Sequence, residues 1–151
     1  MAADKITTFD VLIEIPRGSR NKYEYDFKLK RIRFDRMLFS SMMYPADYGF
    51  MPQTLALDGD PLDVLVLINE PTFPGCVMEV KPIGVFHMAD DKGPDEKVIC
   101  VPVSDPIWNS LNDLSDINPH LLKEIEHFFQ VYKDLENKVV DVGGWGDLSE
   151  A

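Results

Sequence analysis

The sequence predicts one mainly-β domain, a small closed or partly closed antiparallel barrel with a helix laid on it. Three observations lead there. The 151 residues suffice for a single domain, residues 1–151, with a sizeable core and no need of disulfides or structural zinc. About six segments show the two-residue alternation or short apolar runs of strands, set between clusters of Gly, Pro, Asn and Asp. Only one stretch, after Asn118, repeats its apolar residues at helical spacing. Many short strands with one helix is the pattern of small barrels, and barrel ends and rims are where ligands sit.

In chain order, Phe9, Val11, Ile13 and Ile15 alternate with polar residues, which marks a half-buried strand with Glu14 on its polar side. A turn at Pro16–Asn21 leads to Lys22–Phe27, where Tyr23, Tyr25 and Phe27 share one face and Lys22, Glu24 and Asp26 the other. The aromatic face is the one expected to be buried; the charged face reads as solvated strand surface. Arg31–Arg36 offers a third strand, and Tyr44–Phe50 places two tyrosines about a rigid turn. Aromatics so spaced usually pack, although a phenol on a stiff arm can also hold an anion. Val64–Ile68 is a buried apolar run, and Val77–Phe86 a longer strand that Pro82 and Gly84 must bend, bulge or put at an edge. Val98–Val101 follows. Asn118 is a good N-cap with Pro119 at the first helical position, and Leu121, Leu122, Ile125, Phe128, Phe129 and Tyr132 then form the apolar stripe. Lys133, at the end of that helix, reads as a partner for its dipole, and His120 and His127 as surface residues. Val139–Trp145 closes the chain with a short strand and turn.

Charge narrows the function. A net charge of −11 and a pI near 4.6 argue against nucleic acid or an anionic membrane as partner, since both are bound by clustered Lys and Arg. Met1–Lys5 runs straight into strand-like sequence and no segment approaches the length of a membrane span, which predicts a cytoplasmic protein. Cys76 and Cys100 lie far apart without CxxC spacing and read as free buried thiols.

Against this background Asp58-Gly59-Asp60-Pro61-Leu62-Asp63 stands out, three carboxylates in six residues at the mouth of an apolar strand. Carboxylates held this close repel one another unless positive charge lies between them, and a divalent metal supplies it. The same residues also suit a solvated Asp-Gly turn. An EF-hand loop is excluded, because its fifth, sixth and twelfth positions would here be Leu62, Asp63 and Asn69. A second acidic turn, His87–Lys97, brings Asp90 and Asp95. If both turns open on one end of the sheet, Asp58, Asp60, Asp63, Asp90 and Asp95 could surround a cluster of ions.

Taken together these stretches resemble the soluble family I inorganic pyrophosphatases of bacterial and archaeal type. Asp58-Gly59-Asp60-Pro61-Leu62-Asp63-Val64 reproduces the D-G-D-P-x-D-V signature of that family. Ile13–Pro16, Lys22–Glu24, Asp35-Arg36, Tyr44–Gly49, Asp90 with Asp95 and Lys97, and His127–Glu136 follow in the family's order. The resemblance implies an α+β, mainly-β fold, a five-stranded OB-like closed barrel with flanking helices, and hydrolysis of pyrophosphate to two orthophosphates with Mg²⁺, several ions per site and Mn²⁺ as a substitute. It implies Asp58, Asp63 and Asp95 as ligands of the metals that generate the nucleophile, with Asp63 bridging, Asp90 for a further metal, and Asp60 as general base. It implies Lys22, Arg36, Tyr48, Lys97, Tyr132 and Lys133 as phosphate-binding groups, with Tyr44 nearby and Glu14 and Glu24 in support; Lys133 thereby changes from dipole partner to ligand contact. It further implies a homo-oligomer, a hexamer in bacterial relatives, with His127 near subunit contacts. Asp91 stands where many members have Glu, and the chain ends at Ala151 where many continue into a helix. Two other readings remain open at this point: a metal-dependent hydrolase of nucleotides or other phosphate compounds, and an OB-like nucleic-acid binding module.

Overall fold

Alternation in the first strand becomes β1 (Phe9–Ile15), whose Val11, Ile13 and Ile15 are buried while Leu12 and Glu14 are half-buried. The computed structural model describes residues 7–52, 61–90, 93–132 and 141–147, with the backbone alone for Asp90 and Asp141. The other strands are β2 (Asn21–Asp26), β3 (Arg31–Met37), β4 (Asp47–Met51), β5 (Leu62–Val66), β6 (Val77–Asp90), β7 (Gly93–Pro94), β8 (Lys97–Pro102) and β9 (Asp141–Gly146), with α1 (Pro119–Val131) before the last.

Five strands close a ring. β1 pairs β4, β4 pairs β5, β5 pairs β8, β8 pairs β6, and β6 returns to β1. Four of these seams are antiparallel, but β5–β8 is parallel, which corrects the expectation of an antiparallel barrel. The parallel seam arises because β8 is reached by way of β6 and so enters beside β5 in the same direction. β2 and β3 form a separate two-stranded sheet. β4 was read from sequence as a turn; Pro45 hid it, and the strand begins two residues later. The register of β6 shifts between Pro82 and Gly84, so of the bend, bulge or edge position that these residues allowed the strand takes a bulge.

Two apolar clusters lie on opposite faces of the ring strands. Val11 and Ile13 of β1, Met51 of β4, Val64 and Val66 of β5, Val80 of β6 and Val98 and Cys100 of β8 form one, drawn from all five ring strands. Their alternate neighbours Leu65, Phe86, Ile99 and Val101 form the other with Ile125, Phe128, Phe129 and Tyr132 at α1. Asn118 caps α1 as expected, its side-chain oxygen accepting the His120 N–H at 2.9 Å. Leu121 and Leu122 are half-buried, and His120 and His127 are exposed. Among the described residues this is the single α-helix, as the apolar stripe predicted, joined by a short 3-10 turn at Leu114–Asp116, whereas the family resemblance implied flanking helices. No helix among them is long and apolar enough to cross a membrane. Cys100 is buried, but Cys76 is only half-buried, which corrects the reading of two buried thiols; both are unpaired.

Candidate active site

The side-chain period of β5 and β8 decides where charge goes. Asp63 shares a face with Leu65, and Lys97 with Ile99, so both point to the α1 side of the ring; parallel register sets Asp63 directly beside Lys97. On β4, Tyr48 packs against the same cluster. The result is a compact constellation. Lys97 Nζ donates to Asp63 Oδ2 at 2.9 Å, to both Asp95 oxygens at 2.8 and 2.9 Å, and to the Tyr48 phenol oxygen at 2.6 Å. The Lys97 side chain is 2% exposed.

Burial alone would lower the pKa of such an ammonium; the Asp63 and Asp95 carboxylates more than reverse this and raise it above the ordinary lysine value. Burial raises Asp95, Lys97 opposes that effect, and Asp63 adds to it, with a net upward direction. One buried cation is therefore shared by two acids. Burial also raises the phenols of Tyr48 and Tyr44 well above their usual value, reinforced at Tyr48 by Asp63 and Asp95 and at Tyr44 by Tyr132, so both remain hydrogen-bond donors at neutral pH.

This constellation opens into a cleft of about 340 Å³ whose polar wall includes Glu14, Lys22, Glu24, Tyr44, Tyr48, Asp63, Asp95, Lys97 and Tyr132. Nine of the residues singled out by sequence thus meet in one place. Arg36 lies across the β2–β3 register from Lys22, and Asp35 joins the two, 3.7 Å from Lys22 and ion-paired with Arg36. Asp58, Asp60, Asp91 and Lys133 fall outside the described residues, as does the side chain of Asp90, whose backbone closes β6 opposite Gly93. Among the described residues no three His, Cys, Asp or Glu side chains converge as a ready metal cluster.

Glu14 accepts the Tyr25 N–H at 2.8 Å. Burial raises its pKa to about 7, with Asp63 and Glu24 adding and the Tyr25 hydrogen bond and Lys22 opposing. Between the unfolded value of 4.5 and about 7 the folded chain holds a proton that the unfolded chain has lost, so in chelator this group makes stability fall as pH rises through that window and level off above it. Glu14→Gln keeps the acceptor for Tyr25 and is expected to flatten that slope, by roughly 1–3 kcal/mol between pH 5 and 8. Urea denaturation at the two pH values measures it, and an unchanged slope would place the Glu14 carboxyl in water.

Two features escaped the sequence. Asp47, fully buried, accepts the Arg17 N–H at 2.7 Å and the Thr72 N–H and hydroxyl at 3.2 and 2.5 Å, which anchors β4 one residue before Tyr48. Its position in a Tyr-rich turn gave no sign of this, because both donor segments are distant in sequence. The other is an apolar wall of the cleft, Tyr25, Phe27 and Phe50. The Tyr23-Tyr25-Phe27 alternation signalled it but was read as a buried face; instead β2 ends at Asp26, Tyr23 and Tyr25 are half-buried, and Phe27 is 59% exposed.

Within a mainly-β frame, one cleft thus gathers acids, lysines and phenols, groups suited to holding metal and phosphate. The family model for inorganic pyrophosphatase matches residues 11–151. The inorganic pyrophosphatase of Methanosarcina mazei is 65% identical over 141 residues, covering 93% of this chain and 83% of that one. Among solved structures, an inorganic pyrophosphatase from Coxiella burnetii superposes with a TM-score of 0.91 at 48% identity, over 97% of this chain and 89% of that one. The Thermus thermophilus enzyme gives 0.92 at 47%, over 95% and 84%. The chain belongs to the inorganic pyrophosphatase family, and its reaction is the hydrolysis of pyrophosphate to two orthophosphates.

Proposed function

We propose that the cleft carries out this hydrolysis with Mg²⁺, and the observation that supports the reading is Lys97 shared between Asp63 and Asp95. Two acids around one ammonium leave surplus negative charge in a buried place, which suits a divalent ion with oxygen ligands. In this reading Asp58, Asp63 and Asp95 hold the ions that serve the nucleophile, and Asp90 a further one. Bound ions supply positive charge and acidify an attacking water.

The chain's own groups do the remainder. Asp60 takes the proton of the attacking water as general base. Lys22, Arg36, Lys97 and Lys133 donate charge-assisted hydrogen bonds to phosphate oxygens, and Tyr48 and Tyr132 donate from neutral phenols. Positioning and charge neutralisation of this kind account for most of what phosphoryl transfer requires. Tyr44, in ring contact with Tyr48 at 5.6 Å, holds that phenol in place. Glu14 and Glu24, which line the same cleft, support the basic residues.

The frame in this reading is an OB-like closed barrel forming one domain over residues 1–151. The protein works in the cytoplasm as a homo-oligomer, a hexamer with His127 near a subunit contact. Phosphate release from pyrophosphate with Mg²⁺, set beside ATP under the same conditions, is the test. Equal release from the two would sink the substrate assignment. Asp60→Asn is expected to lower kcat by about 10²–10⁴-fold with an unchanged circular dichroism spectrum. A near-normal rate would remove Asp60 from the base role.

A further inference from the structure

We propose that Phe27, backed by Tyr25 and Phe50, is an aromatic shelf that lets the cleft bind nucleoside diphosphates in competition with pyrophosphate. The proposal rests on phosphate being held in the cleft by Lys22 and Lys97. Pyrophosphate oxygens call for cations and N–H or O–H donors, and the polar wall offers these. An aromatic wall does nothing for them. Yet three rings, Tyr25, Phe27 and Phe50, also line the same cleft.

Those rings are arranged as a support and a surface. Phe50 is 4% exposed and belongs to the support. Phe27 meets Tyr25 edge-on at 4.9 Å between centroids and Phe50 at 5.6 Å, while Tyr25 and Phe50 stand 5.9 Å apart. Held by two rings, Phe27 is nonetheless 59% exposed. Its turn is also held. Asp26 Oδ1 accepts the N–H groups of Lys28 and Leu29, each at 2.9 Å, and the Asp26 carbonyl accepts that of Lys30 at 2.7 Å. A fixed, half-open ring at the edge of a charged cleft is the arrangement on which a nucleobase stacks, because every base presents a π-face.

Spacing agrees. Lys22 and Phe27 both line that cleft and stand five residues apart along β2 and the start of its turn, a chain contour of about 16 Å at ~3.3 Å per residue. A diphosphate held by the lysines and a base at Phe27 therefore share one cleft.

The test is equilibrium titration in Mg²⁺ with α,β-methylene ADP and methyl methylenediphosphonate, the same phosphonate chain with and without a nucleoside. The wild type is expected to bind the first about tenfold more tightly. Phe27→Ala should bring the ratio close to one, and Phe27→Trp should restore it. Equal affinities in the wild type, or a ratio that survives Phe27→Ala, overturn the proposal. The titration needs no turnover, so its outcome stands apart from phosphate release, where failure to split pyrophosphate would count against the catalytic reading instead.

Discussion

Lys97→Met is expected to lower the melting temperature in chelator by roughly 10 °C and to reduce kcat by about 10²–10³-fold. The stability loss follows from what stays behind. Methionine replaces the volume of the lysine stem but not its charge, which leaves Asp63 and Asp95, 29% and 17% exposed, facing each other with nothing between them. Removing one partner of a buried ion pair costs about 3–5 kcal/mol, and each kcal/mol moves a domain of this size by about 2–4 °C. Tyr48 also loses its 2.6 Å donor. The rate loss follows from removing one preorganised donor to the phosphate, an effect of about 10²–10³ in comparable sites.

The sign of two dependences separates this account from simple loss of packing. In the variant Asp95, already raised by burial and by Asp63, loses the ammonium that opposed the rise, so stability should fall more steeply with pH than in the wild type, from the ordinary carboxylate range upward. Added Mg²⁺ should raise the melting temperature of the variant more than that of the wild type, because an ion restores the charge that the ammonium supplied. Scanning calorimetry with and without Mg²⁺ at pH 6 and 8 measures both. Equal Mg²⁺ shifts in the two proteins would show that Lys97 and the metals do not share the same acids.

How much of this was legible in the sequence depends on range. Period-two alternation located β1, Pro82 and Gly84 marked the irregularity in β6, and Asn118-Pro119 placed the start of α1, because all three signals are local. The acid turn drew attention to Asp63 through its spacing alone. The Lys97 constellation was not readable that way. It depends on β5 and β8 lying parallel, and that depends on the order in which β6 and β8 enter the ring. From its spacing alone Tyr48 is an ambiguous aromatic, although the resemblance implies a phosphate-binding role; the strand puts its phenol beside Lys97 Nζ. Phe27 went wrong for a related reason: alternation names a face but does not say whether anything covers it, and the β2–β3 pair stands outside the ring. Resemblance to a family supplied the roles, and the fold supplied the contacts.

Gly49→Ala should be the most damaging of the small substitutions, with a loss of at least about 4 kcal/mol or failure to fold. A Cβ at Gly49 would lie 2.0 Å from the Leu12 carbonyl oxygen, 2.8 Å from its carbon and 3.0 Å from Ile13 Cα. All three are backbone atoms of β1, opposite Gly49 in the β1–β4 seam, so the clash cannot be relieved by a rotamer. The seam must open. Ile15 pairs with Tyr48 in that seam, so opening it separates Glu14, the residue before Ile15, from the tyrosine that contacts Lys97. Stability and turnover should therefore fail together. Gly84→Ala gives the comparison. Its Cβ would crowd Leu114 at 2.3–2.7 Å, but the atoms met there belong to one side chain of the core cluster and not to backbone, so repacking of that side chain relieves the clash. The cost of overpacking there is about 1–3 kcal/mol, with kcat largely retained. Urea midpoints and kcat for both variants decide the matter. A Gly49→Ala protein as stable as Gly84→Ala would mean that β1 and β4 do not approach as closely as the register requires, and the placement of Tyr48 on the acid pair would fall with it.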